Sequence, residues 1–243
     1  MGYADGLAVL PRVGRSTRGS TAMKAVAMRS LVLGSASAAI VTLLRQRYLR
    51  WGSTAAEFAM ALPGDELLPN ANITATRAIS VAGAPEAVWP WIAQLGHGRG
   101  GFYSYDFLEN LAGCDIHSAN RIVPEWQSIA VGDEVKLHPE VGLPVVILDP
   151  GAALVLRGGI QMGPVAPPYD FTWAFIVRAQ ADGTTRLLVR ERYEYTRRWS
   201  ALLVEPVQLI SFIMSRRMLR GIKHRAQRTR ICTSEPQDRV TAT

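Results

Sequence analysis

"EPVQLISFIMSRRMLRGIKHRAQR", Glu205 to Arg228, is the stretch on which the fold turns. Val207, Ile210, Met214, Met218 and Ile222 recur at intervals of three and four, which is one apolar stripe of a helix with 3.6 residues per turn. Arg216, Arg217, Arg220, Lys223 and Arg225 lie largely around that stripe, and Pro206 is expected near the first turn, where its missing N–H costs little. A long amphipathic helix must bury its stripe against another layer, and the residues before it say which.

Upstream come "EVKLH" (134–138), "PVVILD" (144–149), "ALVLRG" (153–158), "DFTWAFIVRA" (170–179) and "RLLVRERYEY" (186–195), short extended runs divided by turn signals such as Asp149-Pro150-Gly151 and Ala181-Asp182-Gly183. Alternation puts Phe171, Trp173, Phe175 and Val177 on one face of their run, and Leu187, Val189, Glu191, Tyr193 and Tyr195 on one face of theirs. No helical pattern intervenes, so an antiparallel meander is predicted. Ahead of it, "ITATRAISV" (73–81) reads as a half-buried strand. "APEAVWPWIAQLG" (84–96) reads as a helix, with Pro85 at its first position and Val88, Ile92 and Leu95 on its apolar side. "YSYDFLENLAG" (103–113) reads as a second short helix, with Ser104 as the expected cap and Gly113 as its stop. The glycines of "GHGRGG" (96–101) form a tight connection between the two.

The order strand, two helices, a run of strands and one long final helix resembles the START-like, SRPBCC superfamily, which includes polyketide cyclase/dehydrase and lipid-transport proteins. The likeness covers about residues 73–227, and its most specific parts are "APEAVWPWIAQLG" and "GFYSYDFLENLAGCDIHSANRIVPEWQ". It implies an α+β helix-grip fold, in which a curved antiparallel sheet wraps around the long carboxy-terminal helix, with an amino-terminal helix outside the domain. It also implies a deep apolar cavity suited to a hydrophobic small molecule or lipid. On that reading His97, Arg99, Tyr103 and Tyr105 orient a ligand at the cavity rim, while Trp173, Glu191, Tyr193 and Met214 line its interior. Tyr103 and Tyr105 read equally well as helix-to-sheet packing, and Glu191 as the partner of Arg178 or Arg190. Arg157 and Arg190 read as solvated strand positions or as anion binders.

Three functions fit such a cavity: binding and transport of a hydrophobic molecule, a cyclase or dehydratase reaction on a polyketide-like substrate, or a regulatory or structural role without ligand. For the enzymatic case the candidate acids and bases are His97, Asp106 and Tyr103, groups whose burial would shift them toward neutral pKa. No metal or other cofactor is expected. Cys114, Asp115 and His117 stand close together, with His97 and His138 elsewhere, but they lack the repeated spacing of a zinc site. "GHGRGG" lacks the spacing of a phosphate loop and follows a helix where such a loop follows a strand, and there is no GxSxG elbow.

Charge divides the chain into three parts. Residues 1–51 carry a net charge of +7, residues 52–196 carry −7 and residues 197–243 carry +7. Basic ends around an acidic body suit an anionic membrane surface better than nucleic acid, whose domains carry a basic stripe on the folded body. An uncharged run, Ser30 to Leu44, flanked by arginines on both sides, is read within a membrane-associated helix over about 25–44. No small-residue cleavage site follows it, so it is not expected to be removed. The expected organisation is a basic segment over 1–51, a linker over 52–72, the helix-grip domain over 73–228 and a flexible tail over 229–243. Two cysteines, Cys114 and Cys232, make no disulfide framework, so the functional domain is expected in the cytoplasm, associated with a membrane.

Overall fold

Residues 73, 75, 77, 79 and 81 of the first strand share one face of a sheet because successive side chains on a strand alternate sides. Ile73, Ala75 and Val81 duly enter the main apolar core, and so do Phe171, Phe175, Val177, Leu187, Val189 and Tyr193 from two later strands. The computed structural model describes residues 39–159 and 166–233. Its helices are α1 (39–49), α2 (Ala55–Ala59), α3 (Pro85–Ala93), α4 (Asp106–Leu111) and α5 (Ser200–Thr233). Its strands are β1 (Ile73–Ala82), β2 (Glu134–His138), β3 (Val141–Asp149), β4 (Ala153–Arg157), β5 (Tyr169–Ala179) and β6 (Thr184–Tyr195).

The strands form one six-stranded sheet in the order β1-β6-β5-β4-β3-β2. Every pairing is antiparallel, so β2 to β6 are the expected meander and β1 closes against β6. The sheet is curved and α5 packs against it, which is the helix-grip α+β fold. Register places Trp173 opposite Glu191 and Phe171 opposite Tyr193, so the aromatic face of β5 and the mixed face of β6 look the same way.

Helix α5 has 34 residues, about 50 Å at 1.5 Å per residue. It starts at Ser200, earlier than Pro206 suggested, so the proline lies inside the helix. Its missing N–H frees one carbonyl, that of Leu202, and Leu202 is exposed, so water can satisfy it. The apolar stripe divides in two. Met218 and Ile222 are buried in the core with Leu219 and Ala226, whereas Val207 and Ile210 remain exposed. At Gly221 the helix touches the backbone of residue 103: a Cβ there would stand 2.3 Å from the Tyr103 carbonyl oxygen. Helix α3 adds Val88, Trp91 and Ile92 to the same core.

A second apolar cluster lies on the other face of the sheet, where Ala78, Val155, Ala174, Ile176 and Leu188 meet Leu62 and Leu67. Residues 52–72, expected as a linker, are a folded strap across this face. Gly52 sits at φ +73°, with room for no Cβ beside the Ala78 carbonyl, and Ala78 N–H donates to the Trp51 carbonyl. The contact satisfies part of the exposed edge of β1. Thr54 and Glu57 make a capping box for α2, and Arg186 forks onto the Glu57 carboxylate at 2.7 and 2.9 Å. Arg190, 2% exposed, donates to the carbonyls of Glu57, Phe58 and Met60, to Thr76 and to Asp65. It is therefore a buried clamp on the strap, neither solvated nor open to an anion; Arg157 pairs with Asp170 at 2.8 Å.

The chain divides into two compact units, Met1–Arg45 and Gln46–Thr243. Of the first only helical residues 39–45 are described, so the expected membrane helix over 25–44 lies mostly outside the described residues, as does residue 234 onward of the expected tail. Among the described residues no helix is long and apolar enough to cross a membrane.

Candidate functional site

Where the amino-terminal half of α5 crosses the sheet, it leaves a cavity of about 360 Å³, within the range that accommodates a drug-sized ligand. The sheet supplies Tyr169, Phe171, Trp173, Glu191 and Tyr193. Helix α5 supplies Val207, Ile210, Met214 and Met218, with Ser211 and Ser215 between them. A third wall comes from Phe102, Ser104, Glu109 and Cys114 around α4, with Leu137 of β2. The aromatic rings are mutually packed: Trp173 lies 4.8 Å from Phe175 and 5.9 Å from Phe102, and Phe171 4.5 Å from Tyr193. The hollow is open; the protein's own aromatics form its walls and leave its volume free.

Two carboxylates interrupt this apolar lining, and their surroundings differ. Glu191 is 2% exposed and is bound by Arg77 at 2.6 Å, by Ser211 at 2.6 and 2.7 Å and by Ser215 at 3.0 Å. Arg77, fully buried, donates as well to the carbonyl of Tyr48 and to both serines. A charge this deep persists because it is paired and hydrogen-bonded. Its expected partners, Arg178 and Arg190, are not the ones it has. Burial, and then the Glu191 charge, push the hydroxyl of Tyr193 well above its ordinary pKa.

Glu109 is the second. One of its oxygens accepts from the Ser104 hydroxyl; the other, Oε2, is buried with no hydrogen-bond partner. Burial first, and the neighbouring Asp106 second, raise its pKa above the usual carboxylate value. Burial and the Glu109 charge raise the Cys114 thiol likewise. The Trp173 indole N–H is also buried and unpartnered. The lining residues thus include a donor and a carboxylate oxygen that no protein group satisfies, buried atoms that a side-chain rotation would have to expose before they could fix a ligand's polar end or, at Glu109, exchange a proton with it.

Of the residues expected at the site, Trp173, Glu191, Tyr193 and Met214 line the cavity. His97, Arg99, Tyr103, Tyr105 and Asp106 do not, and each has structural partners. The glycine loop closes on itself, with Gly96 and Gly101 exchanging backbone hydrogen bonds, which turns its side chains away from the hollow. His97 approaches Asp115 at 3.5 Å. Arg99 donates to the carbonyls of Ala93, Trp126 and Ser128, tying the end of α3 to the following loop. Tyr103, 2% exposed and at φ +57°, accepts from Gln94 at 2.9 Å, meets Trp91 edge-on and lies beneath the Arg225 guanidinium. Burial pushes its hydroxyl far up, so it holds its proton near neutral pH. Tyr105 lies on the surface beside Arg217. Asp106 accepts from both the backbone and the hydroxyl of Ser118. Ser104 does not cap α4, because its hydroxyl is taken by Glu109.

Cys114 and His117 part company: the cysteine lines the cavity while His117 reaches Asp115 at 3.1 Å. Among the described residues no group of three histidine, cysteine or acidic side chains converges on a metal-sized site.

The sequence reading missed Ser104, Glu109, Cys114, Ser211, Ser215 and Arg77 as parts of the site. One signal was present for Arg77 and Glu191: each is the single charge on the inward alternation of an otherwise apolar strand, and such interruptions come in pairs. Ser211 and Ser215 are four apart, hence on one helix face.

No family model matches the chain, and no curated protein matches it. Among solved structures, the chain is similar to the Zhui aromatase/cyclase from a Streptomyces species, at 11% identity over 68% of this chain and 99% of that one, with a TM-score of 0.43. It is similar also to norcoclaurine synthase from Thalictrum flavum, at 12% identity over 67% and 87%, with a TM-score of 0.37. A conserved protein from Geobacillus kaustophilus matches at 14% identity over 65% and 97%, with a TM-score of 0.38. At these identities and TM-scores the neighbours say nothing of family or activity.

Proposed function

We propose that this protein binds a hydrophobic small molecule or lipid within the cavity between α5 and the sheet. The observation that supports the reading is the cavity itself: about 360 Å³, walled by aromatic and aliphatic side chains, with a few polar groups set among them. The ligand carries a polar end, which the Trp173 indole N–H and the Glu109 carboxyl recognise, on an apolar body that the rings enclose. Transport of that molecule, with the protein held at an anionic membrane by its basic ends, belongs to the same proposal. The test is solvent extraction of the purified chain followed by mass spectrometry. A stoichiometric apolar compound, absent from protein with the cavity filled by Met214→Trp, is the expected result. An empty cavity that also fails to take up apolar probes would overturn it.

A cyclase or dehydratase reaction in the same cavity is favoured by one feature, the unpartnered Oε2 of Glu109. His97, Asp106 and Tyr103 drop out of that reading because none lines the cavity. If turnover occurs, Glu109→Gln abolishes it while leaving ligand affinity nearly intact; loss of affinity with unchanged turnover would assign Glu109 to binding alone.

A further inference from the structure

Two of the elements that line the cavity, α5 and the α4 region, have outer faces that are unusually apolar. On α4, Phe107 and Leu111 are each 77% exposed. On the amino-terminal half of α5, Leu202, Leu209, Ile210 and Ile213 are exposed as well, the first at 81%. A helix in a globular domain turns one apolar stripe inward and a polar face outward; here the same turns that wall the cavity are apolar on both sides. The two elements are neighbours, since Tyr105 at the start of α4 shares a recess with Ile213 and Arg217 of α5. Solvent-facing side chains of this size, gathered on adjacent helices, mark an interaction surface.

The charges beside this patch identify what it meets. Arg197 and Arg198 stand exposed just before α5, and Arg216, Arg217 and Arg220 follow the apolar turns along the helix, with Arg217 and Arg220 exposed. Apolar side chains flanked by arginines are the pattern of an element lying in a bilayer interface, with the side chains in the acyl region and the cations at anionic headgroups. A protein partner would need a complementary acidic rim around an apolar centre, whereas an anionic membrane supplies both at once.

We propose that the α4 and α5 surface docks into an anionic bilayer, bringing two walls of the cavity against the lipid. This rests on the membrane association proposed above and names the surface that makes it; it does not depend on what the cavity holds. The test uses the full chain with vesicles of phosphatidylcholine alone or with a third phosphatidylglycerol. An environment-sensitive fluorophore is placed on Leu111→Cys or Leu209→Cys, or at Gln180→Cys in the β5–β6 turn, with Cys114 and Cys232 replaced by serine. Labels at 111 and 209 are expected to enter an apolar environment with the anionic vesicles, while the label at 180 stays aqueous. Combining Phe107→Gln, Leu111→Gln, Leu202→Gln and Leu209→Gln is expected to weaken partitioning about tenfold or more. Aqueous signals from 111 and 209 on protein that nonetheless floats with vesicles would show tethering by another segment and overturn the proposal. A shift at both positions without lipid, rising with protein concentration, would assign the surface to self-association and overturn it too. Ligand content measured in solution on the same variants separates failure here from failure of the cavity reading.

Discussion

Arg77 and Glu191 meet 2.6 Å apart on neighbouring strands, 114 residues distant in sequence and both withdrawn from solvent. They join β1 to β6 beneath α5, and the two serines of the helix complete the network. Removing one partner strands the other, so Arg77→Met or Glu191→Leu alone is expected to cost about 3–5 kcal/mol in denaturant unfolding. The double replacement should recover most of that loss, because the pair's mutual attraction only offsets its desolvation. Equal, additive losses would mean the two act independently.

Arg190 is a clamp on the other face. Arginine is able to reach five acceptors at once because its donors form a rigid fork, and lysine cannot. Arg190→Lys is expected to lower stability by about 2–3 kcal/mol and to open residues 52–68 to limited proteolysis while β1 to β6 stay protected. Proteolysis unchanged from the parent would show that the strap is held by Leu62 and Leu67 without the cation.

The cavity carboxyl Glu109 binds its proton more tightly when folded than when unfolded, since burial and the Asp106 charge raise its pKa from 4.5. Stability contributed by that proton is present at low pH and is lost as pH rises through the folded value. Glu109→Gln, which cannot ionise, is therefore expected to gain on the parent protein as the pH climbs above 4.5 and through the folded value. Unfolding curves at a series of pH values measure this; a gap that narrows with rising pH would reverse the assignment.

Much of the fold was legible because it rests on periodicity. The six strands, the helix at Pro85 and the stripe of α5 follow from alternation or helical spacing, which local sequence carries in full. The site was half legible for the same reason: Trp173, Glu191, Tyr193 and Met214 lie on the faces that the patterns assign. What failed was the loop from 96 to 106. Its histidine, arginine and tyrosines look chemical, but their roles depend on Gly96 meeting Gly101 and on Tyr103 reaching Gln94, contacts that no pattern announces. The strap over 52–72 was missed similarly, since its anchor, Arg190, lies far along the chain.

Gly221 is a place where helix propensity and packing oppose each other. Alanine is preferred to glycine in a helix by about 1 kcal/mol, yet a Cβ here would collide with the Tyr103 backbone at 2.3 Å. Gly221→Ala is expected to destabilise the protein by about 1–3 kcal/mol, with thermal unfolding as the readout; a stabilised variant would show that residue 103 yields freely.

A single sheet separates the two apolar clusters, and they share no residue. The molecule can therefore be reinforced from behind. Leu62, Val155 and Leu188 hold the fold together without shaping the chamber on the opposite side, leaving selection, or an engineer, free to recut that chamber for a new guest.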